Sequence, residues 1–494
     1  MSTPQTSTQS AETDNALLDI EALESYLLAA MEKWQVPGLS LAIVKDGKTV
    51  LAKGYGVRET GKEQAVDQQT LFPIAGSTMS FTAAALAILV DEQRLNWTDR
   101  MIDLLPGFQA SSDLITHTAT ITDVLAHKTG LPVDSLSFYP NPGFSRAEIL
   151  RRIKHIKPSS EFRAQSSPNF QMYTAAGEVI PVLTDISWDD FVSERLFKPI
   201  GMTDSITGPD QFGNKNNIAR PHETIEGNLT AVLHANTSNV GPAVSIYSSA
   251  ADMAKWLNFQ LNLGKVGENP LISPEQINIM RRSHNTANYA FPEMAKHFIN
   301  HGFGLMITDS SQGGHKFYSF GGNTEGTESY HAFAPELGLG IAVMVNSSTV
   351  IPQPLVAWII DRYTGAPDRD WISERTPVYE AGIESALTAL DEKQKAITDP
   401  STSPSVALSC YGGGYRHPLV GDLNITERAG ALSYTLGSTY QGELTHANHD
   451  TFFSRVKKPY LGQFFFSGPA QFRLDVEGEV ISVVIAGREF LRVD

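Results

Sequence analysis

Residues 72–90 read F-P-I-A-G-S-T-M-S-F-T-A-A-A-L-A-I-L-V. A Gly-Ser-Thr turn at 76–78 opens into an apolar, alanine-rich run from Thr82 to Val90, which ends at Asp91, Glu92 and Arg94. Alanine is the best helix former and the run shows no polar stripe, so a helix buried on every side is predicted. The same reading puts its first turn at a site. Helix N-termini present unpaired N–H groups and the positive end of the macrodipole, which suits a reactive or anionic group.

Around this helix lies a chain of 494 residues, 41% hydrophobic, long enough for a large core and two domains. A net charge of −16, spread without long runs, argues against nucleic acid or an anionic membrane as a partner. No stretch approaches the roughly 20 apolar residues of a membrane span. The first fourteen residues are polar and lack a basic-then-apolar signal pattern, so a soluble cytoplasmic protein is expected. The single cysteine, Cys410, rules out an internal disulfide and a cysteine-rich metal site. No His/Asp/Glu cluster has ligand spacing, and no Gly-rich phosphate or dinucleotide loop follows a strand; no cofactor is expected.

The 72–90 stretch resembles the helix that carries S-x-x-K in serine β-lactamases, penicillin-binding proteins and related esterases, where the pattern is roughly F-x-I-G-S-x-x-K-x-F-T. Phe72 to Ile74 match before the motif and Phe81-Thr82 after it, with nothing gained or lost between. In that register Gly76 stands at the nucleophilic serine and Met79 at the lysine. Ser77 and Ser80 are each one position out, a turn of about 100° on a helix.

The other two motifs are also substituted. Residues 162–180 resemble F-R-x-x-x-x-Y-x-N-x-M-Y-x-x-A-G-E-V-I, whose Y-x-N tyrosine is the family's general base; here Pro168 replaces the tyrosine and Phe170 the asparagine. Asn169 between them is read first as a cap of the following helix and second as a substrate contact. Where relatives carry H-G-G or K-T-G beside the substrate carboxylate, this chain has Phe320-Gly321-Gly322. Lys128-Thr129-Gly130 spells K-T-G far too early and matches instead the family's structural H-x-[ST]-G-L turn, with His127 read as a structural histidine. Pro242 to Ser248 resembles the P-A-G-G-L-x-S wall of the cleft, with Val244-Ser245 narrowing it in place of the double glycine.

Several flanking segments carry the scaffold alone. Residues 16–35 read as an amphipathic helix, followed by a hairpin turning at Asp46-Gly47. Ala250 to Leu261 reads as a packed helix, Leu337 to Val345 as a buried strand, and the basic cluster Arg151 to Lys157 as a solvated helix face. From Cys410 onward, short alternating strands with glycine turns resemble the small domain appended to esterase-type relatives, which commonly covers the cleft or mediates oligomers.

The resemblance therefore implies an α+β protein. A β-lactamase/transpeptidase-like fold, with a central antiparallel sheet flanked by helices and a helical subdomain, is expected over 16–363. A disordered segment is expected over 1–15, a linker with a helix over 364–404, and a C-terminal all-β barrel-like domain over 405–494. Acyl transfer needs a hydroxyl nucleophile and a base, and both are missing in this register. The substitutions turn a charged cleft into an apolar one with room for a hydrophobic ligand. The leading expectation is a retasked enzyme, an isomerase, cyclase or lyase acting on a hydrophobic small molecule such as a natural-product intermediate. Glu325, Tyr247 and Ser77 are its candidate catalytic groups, with Gly76, Met79, Pro168, Asn169, Phe170, Ser245, Phe320 and Thr327 lining the site. A non-catalytic pseudohydrolase and a hydrolase or acyltransferase using Ser77 are the alternatives, and homo-oligomerisation is left open.

Overall fold

The computed structural model describes residues 18–493 apart from 140, 142, 226, 288–294, 311–313 and 457–465; the segment 1–15 lies outside the described residues. The amphipathic pattern near the start forms the helix Ile20–Lys33, begun by Asp19, whose carboxylate accepts from the Ala22 amide at 3.0 Å. Leu23, Leu27, Ala30 and Met31 are its buried face. The hairpin Gly38–Lys45/Lys48–Gly56 follows, and its turn residues Asp46 and Gly47 hold φ of +50° and +75°, as a two-residue turn between right-twisted strands demands.

Eight antiparallel strands make the central sheet. Their spatial order is Lys48–Gly56, Gly38–Lys45, Leu339–Val345, Thr327–Ala334, Lys316–Thr324, Met306–Ser310, Ala295–His301 and Asn285–Thr286. Both faces of the middle strands are covered. Leu39, Leu41 and Ile43 join a core with the helices Ile20–Lys33 and Pro352–Thr364, while Ala42 and Val44 join the larger core on the opposite face. Double burial explains why this strand is an almost unbroken apolar run.

The organising helix, Thr78–Asp91, belongs to the larger core and is buried from Thr78 through Leu89. It begins four residues before the apolar run, after a 3₁₀ turn at Ala75–Ser77. Phe81 stacks on Trp256 of the helix Ala250–Leu261, with ring centroids 3.8 Å apart, and meets Phe197 edge-on. Truncating such a side chain costs about 3–5 kcal/mol.

The charged stretch after the sheet is one long helix, Trp371–Ile397, and the strands from Gly413–His417 to Arg488–Arg492 close an eight-stranded barrel in sequence order. Closure leaves that domain without free strand edges. The barrel grips the main domain at residues 134–141: Asn141 donates to Val420 O at 2.6 Å, Thr439 to Tyr139 O at 2.9 Å, and Arg488 pairs with Asp134. The basic cluster is partly taken up here too, because Arg152 donates to the carbonyls of Pro418 and Leu419 at 2.8 and 3.1 Å.

Candidate functional site

A cavity of about 600 Å³ opens where the three motif positions converge. Gly76 and Met79 line it from the start of the buried helix, Pro168 and Phe170 from the second motif, and Phe320 with Gly321 and Gly322 from the sheet. All five substituted positions thus face one space. The segment held by the barrel and the two residues before it supply Pro132, Val133, Ser135 and Tyr139 to the wall, and His127, Ser159, Gln165, Ser166, Ser167 and Asn323 add polar groups to the lining.

The floor is closed by backbone. A Cβ at Gly76 would lie 2.7 Å from Gly321 O and 2.9 Å from Phe320 Cε1, and one at Gly322 would lie 2.7 Å from Gly76 N. Neither position has room for a side chain. Ala75, immediately before, holds φ of +45°, a left-handed conformation that non-glycine residues adopt at a cost.

Ser77 lies beneath this floor, 1% exposed and outside the cavity lining. Its hydroxyl is 3.0 Å from His331 Nδ1 and 3.4 Å from Phe320 O. His331 comes from the strand Thr327–Ala334, and its Nε2 has no hydrogen-bond partner among the described residues. Burial pushes this imidazole down to about 4, so it is neutral at pH 7. The pair has the make-up of a nucleophile and its base, sealed from the cavity by the strand at Phe320.

Other expected residues stand elsewhere, and each is held by its own partners. Tyr247 is part of a separate cluster with Leu71 and Ile206, its hydroxyl 3.2 Å from His234 Nδ1. Ser245 donates to the carbonyls of Thr207 and Gly241, which turns it away from the ligand space. Asn169 caps the helix Phe170–Gly177 through a 2.8 Å bond from the Met172 amide, and its NH₂ group donates to Leu131 O and Pro132 O. That amide therefore fixes the Pro132 wall without lining the cavity. Thr327 shares a 2.8 Å hydrogen bond with Thr324. Glu325 sits on the half-buried turn between two strands of the sheet, outside the lining, yet close enough for its charge to raise the pKa of Tyr139.

His127, read from sequence as structural, lines the cavity. It is 2% exposed, holds φ of +57°, and its Nδ1 has no hydrogen-bond partner among the described residues. Burial first, then the His301 ring 4.9 Å away, keep its pKa well below the ordinary value, so it is a neutral imidazole. The phenol of Tyr139 is held protonated by burial, with Glu325 adding to the effect. Among the described residues no three His, Cys, Asp or Glu side chains converge as a metal site would, and no helix is long and apolar enough to cross a membrane.

Comparison with known proteins agrees with this architecture. The family model described as Beta-lactamase matches residues 23–365, and a domain of unknown function, DUF3471, matches residues 398–492. Unguisins hydrolase ungD' of Aspergillus campestris is 25% identical over 469 residues, covering 91% of this chain and 86% of that protein. Protein flp of Staphylococcus aureus (strain MRSA252) is 31% identical over 243 residues, 47% of each chain. Among solved structures, the octameric penicillin-binding protein homologue from Pyrococcus abyssi superposes with a TM-score of 0.63 at 18% identity, covering 96% of this chain and all of that one. SurE superposes with a TM-score of 0.57 at 19% identity, over 96% of this chain and 99% of that one.

Proposed function

The chain belongs to the beta-lactamase family, and on that premise we propose that it is a retasked member, an isomerase, cyclase or lyase that acts without a covalent intermediate on a hydrophobic small molecule. One observation carries the proposal. The place of the nucleophile at Gly76 is filled by Gly321 O and the Phe320 ring, while a cavity of about 600 Å³, of the size that holds small ligands, is kept above it.

Proton handling then falls to His127 and Tyr139. Burial weakens the His127 imidazole as a base, so it would take a proton from a bound ligand only as negative charge develops beside it and stabilises the imidazolium, returning that proton to another atom of the ligand. A protonated phenol facing the same space can donate a hydrogen bond to a carbonyl as negative charge develops on its oxygen, and such a bond is stronger in a low dielectric. Gly76, Met79, Pro168, Phe170 and Phe320 supply shape and exclude water. By the same proposal the protein works in the cytoplasm, and the octamer of the Pyrococcus abyssi homologue supports a homo-oligomer.

The test is a screen of hydrophobic metabolites for turnover by mass spectrometry, with His127→Gln and Tyr139→Phe alongside. Turnover without an adduct, lost in His127→Gln while binding persists, supports the proposal. A ligand that binds and is never converted would leave a non-catalytic pseudohydrolase instead.

A second reading, a hydrolase or acyltransferase using Ser77, is favoured by His331 at 3.0 Å and by the hydrolase relative in Aspergillus campestris. It requires the strand at Phe320 to open. Intact mass after exposure to a fluorophosphonate and to a penicillin, with Ser77→Ala alongside, separates the two. An adduct on Ser77 supports the second reading, and an unmodified mass closes it.

A further inference from the structure

A second cleft, of about 490 Å³, lies between the main domain and the barrel. Pro132 and Val133 line both this cleft and the main cavity, so the partition between them is two residues wide. Val133 is 39% exposed, which puts the partition at the surface, where a ligand can pass over it.

The two spaces differ in chemistry. The titratable groups around the cleft are Asp134, His155 and Lys157 from the main domain and His417, Arg488 and Glu489 from the barrel. The carboxylates are engaged: Asp134 pairs with Arg488 through Oδ2, leaving a buried Oδ1, and Glu489 accepts from Arg473 and Ser482, both at 2.8 Å. Lys157 is exposed and has no carboxylate partner among the described residues. His417 Nδ1 accepts from the amides of Leu419 and Val420 at 3.1 and 3.2 Å, so the ring proton is on Nε2 and is a donor. The imidazole stays neutral, its pKa pushed down to about 4 by burial first and then by Arg488, with Asp134 opposing and His155 and Lys157 adding to the effect. Burial first, and then Lys154 and Arg152, lower His155 likewise. The charges lining the cleft balance, two positive against two negative, but with Asp134 paired to Arg488 and Glu489 to Arg473 the groups left open to a ligand beside the apolar cavity are the Lys157 ammonium and the His417 N–H.

We propose that the cleft receives the carboxylate of the same ligand whose apolar body fills the cavity, so that the substrate is a hydrophobic carboxylic acid lying across Val133. The inference rests on the ligand-binding reading above. Lys157 supplies the charge and His417 Nε2–H a directed donor. The barrel is then part of the binding site, which gives its grip on residues 134–141 a functional consequence.

The experiment is calorimetric titration of the full-length protein with dodecanoic acid and with 1-dodecanol, in wild type, Lys157→Gln and Lys157→Glu. The acid is expected to bind about tenfold tighter than the alcohol in wild type. That gap should close in Lys157→Gln and reverse in Lys157→Glu while the alcohol's affinity is unchanged. Raising salt should weaken the acid alone. An alcohol that binds as well as the acid in wild type, or a gap that survives both substitutions, overturns the assignment and leaves the cavity reading intact. If neither probe binds, the cavity reading fails and this inference with it.

Discussion

Gly76→Ser restores the residue that the family's first motif carries, and the geometry says it will damage the protein without reviving acyl transfer. The new Cβ would stand 2.7 Å from Gly321 O, a separation that real side chains do not show. Gly321 cannot simply step aside, because its strand is paired residue by residue with the neighbouring one, Gly321 opposite Tyr330 and Gly322 opposite Ser329. Moving the helix start instead would disturb a segment buried on all sides. Overpacking of this kind costs about 1–3 kcal/mol, and a clash with paired backbone belongs at the upper end.

Thermal unfolding followed by circular dichroism should therefore show a midpoint lowered by a few degrees in Gly76→Ser. Adding Phe320→Ala removes the ring contact at 2.9 Å but leaves the Gly321 carbonyl, so the double variant should recover only the ring's share of the strain. Intact-mass measurements with a penicillin or a fluorophosphonate should find no adduct at position 76, since Met79 and Pro168 stand where the family's base would and the strand leaves a side chain at 76 no room to reach a ligand. A variant as stable as wild type, or one acylated at position 76, would refute the reasoning, because either result means the strand yields.

Asn169→Ala removes a helix cap, at about 1 kcal/mol, and also frees the carbonyls of Leu131 and Pro132; it should lower thermal stability by roughly 2 kcal/mol or more and weaken ligand binding, and an unchanged melting curve would count against the wall-fixing role. Ser77→Ala leaves His331 without its Nδ1 partner in a buried place and should cost about 1–3 kcal/mol in denaturant unfolding; a neutral effect would mean that the bond is not made. His301 and His331 have folded pKa values pushed down to about 4 against an ordinary 6.5, so the unfolded chain binds protons first. Stability is thus full above about pH 6.5 and falls as pH drops toward 4, by about 3 kcal/mol per histidine, and His331→Asn should flatten part of that slope. A slope unchanged in His331→Asn would refute the assignment for that ring.

The scaffold was legible where the physical signal is local. Asp46-Gly47 marks its own turn, and Ala250–Leu261 carries a face for the core with Ser249 accepting from the Asp252 amide as its cap. The start of the organising helix was less so, because the apolar run begins only at Thr82. Thr78 and Ser80 extend the helix into the core by finding partners: Thr78 accepts from the Ile246 amide at 3.1 Å, and Ser80 donates to Ser77 O at 2.8 Å. Thr82 itself is tied to Pro242 O and to the Trp188 indole. Thr78 and Thr82, whose partners lie far along the chain, and Ser80, which bonds its own preceding turn, read as polar in sequence and behave as core.

The same reason divides the site. Gly76, Met79, Pro168, Phe170 and Phe320 could be placed together from motif register alone, whereas Tyr247 and Ser245 are bound to His234 and Thr207, partners no local pattern shows, and Asn169 and Thr327 are taken up by Met172 and Thr324, three residues away. His331 was missed because its partner is 254 residues away, although strand alternation gives a signal. Tyr330, Ala332 and Ala334 belong to the core on one face of the sheet, which turns His331 with Phe333 toward the buried helix on the other. A histidine on that face, under a Gly-Ser-Thr turn, marks the serine it will meet. The glycine beside that serine is then more than a lost nucleophile. With no side chain at Gly76 or Gly322, strand and helix start have closed to van der Waals contact, and Phe320 and Gly321 now occupy the space a catalytic serine would need. Recovering the old chemistry at that position would require the backbone to open before any side chain could act, while the cavity above, open to His127 and Tyr139, needs no such movement.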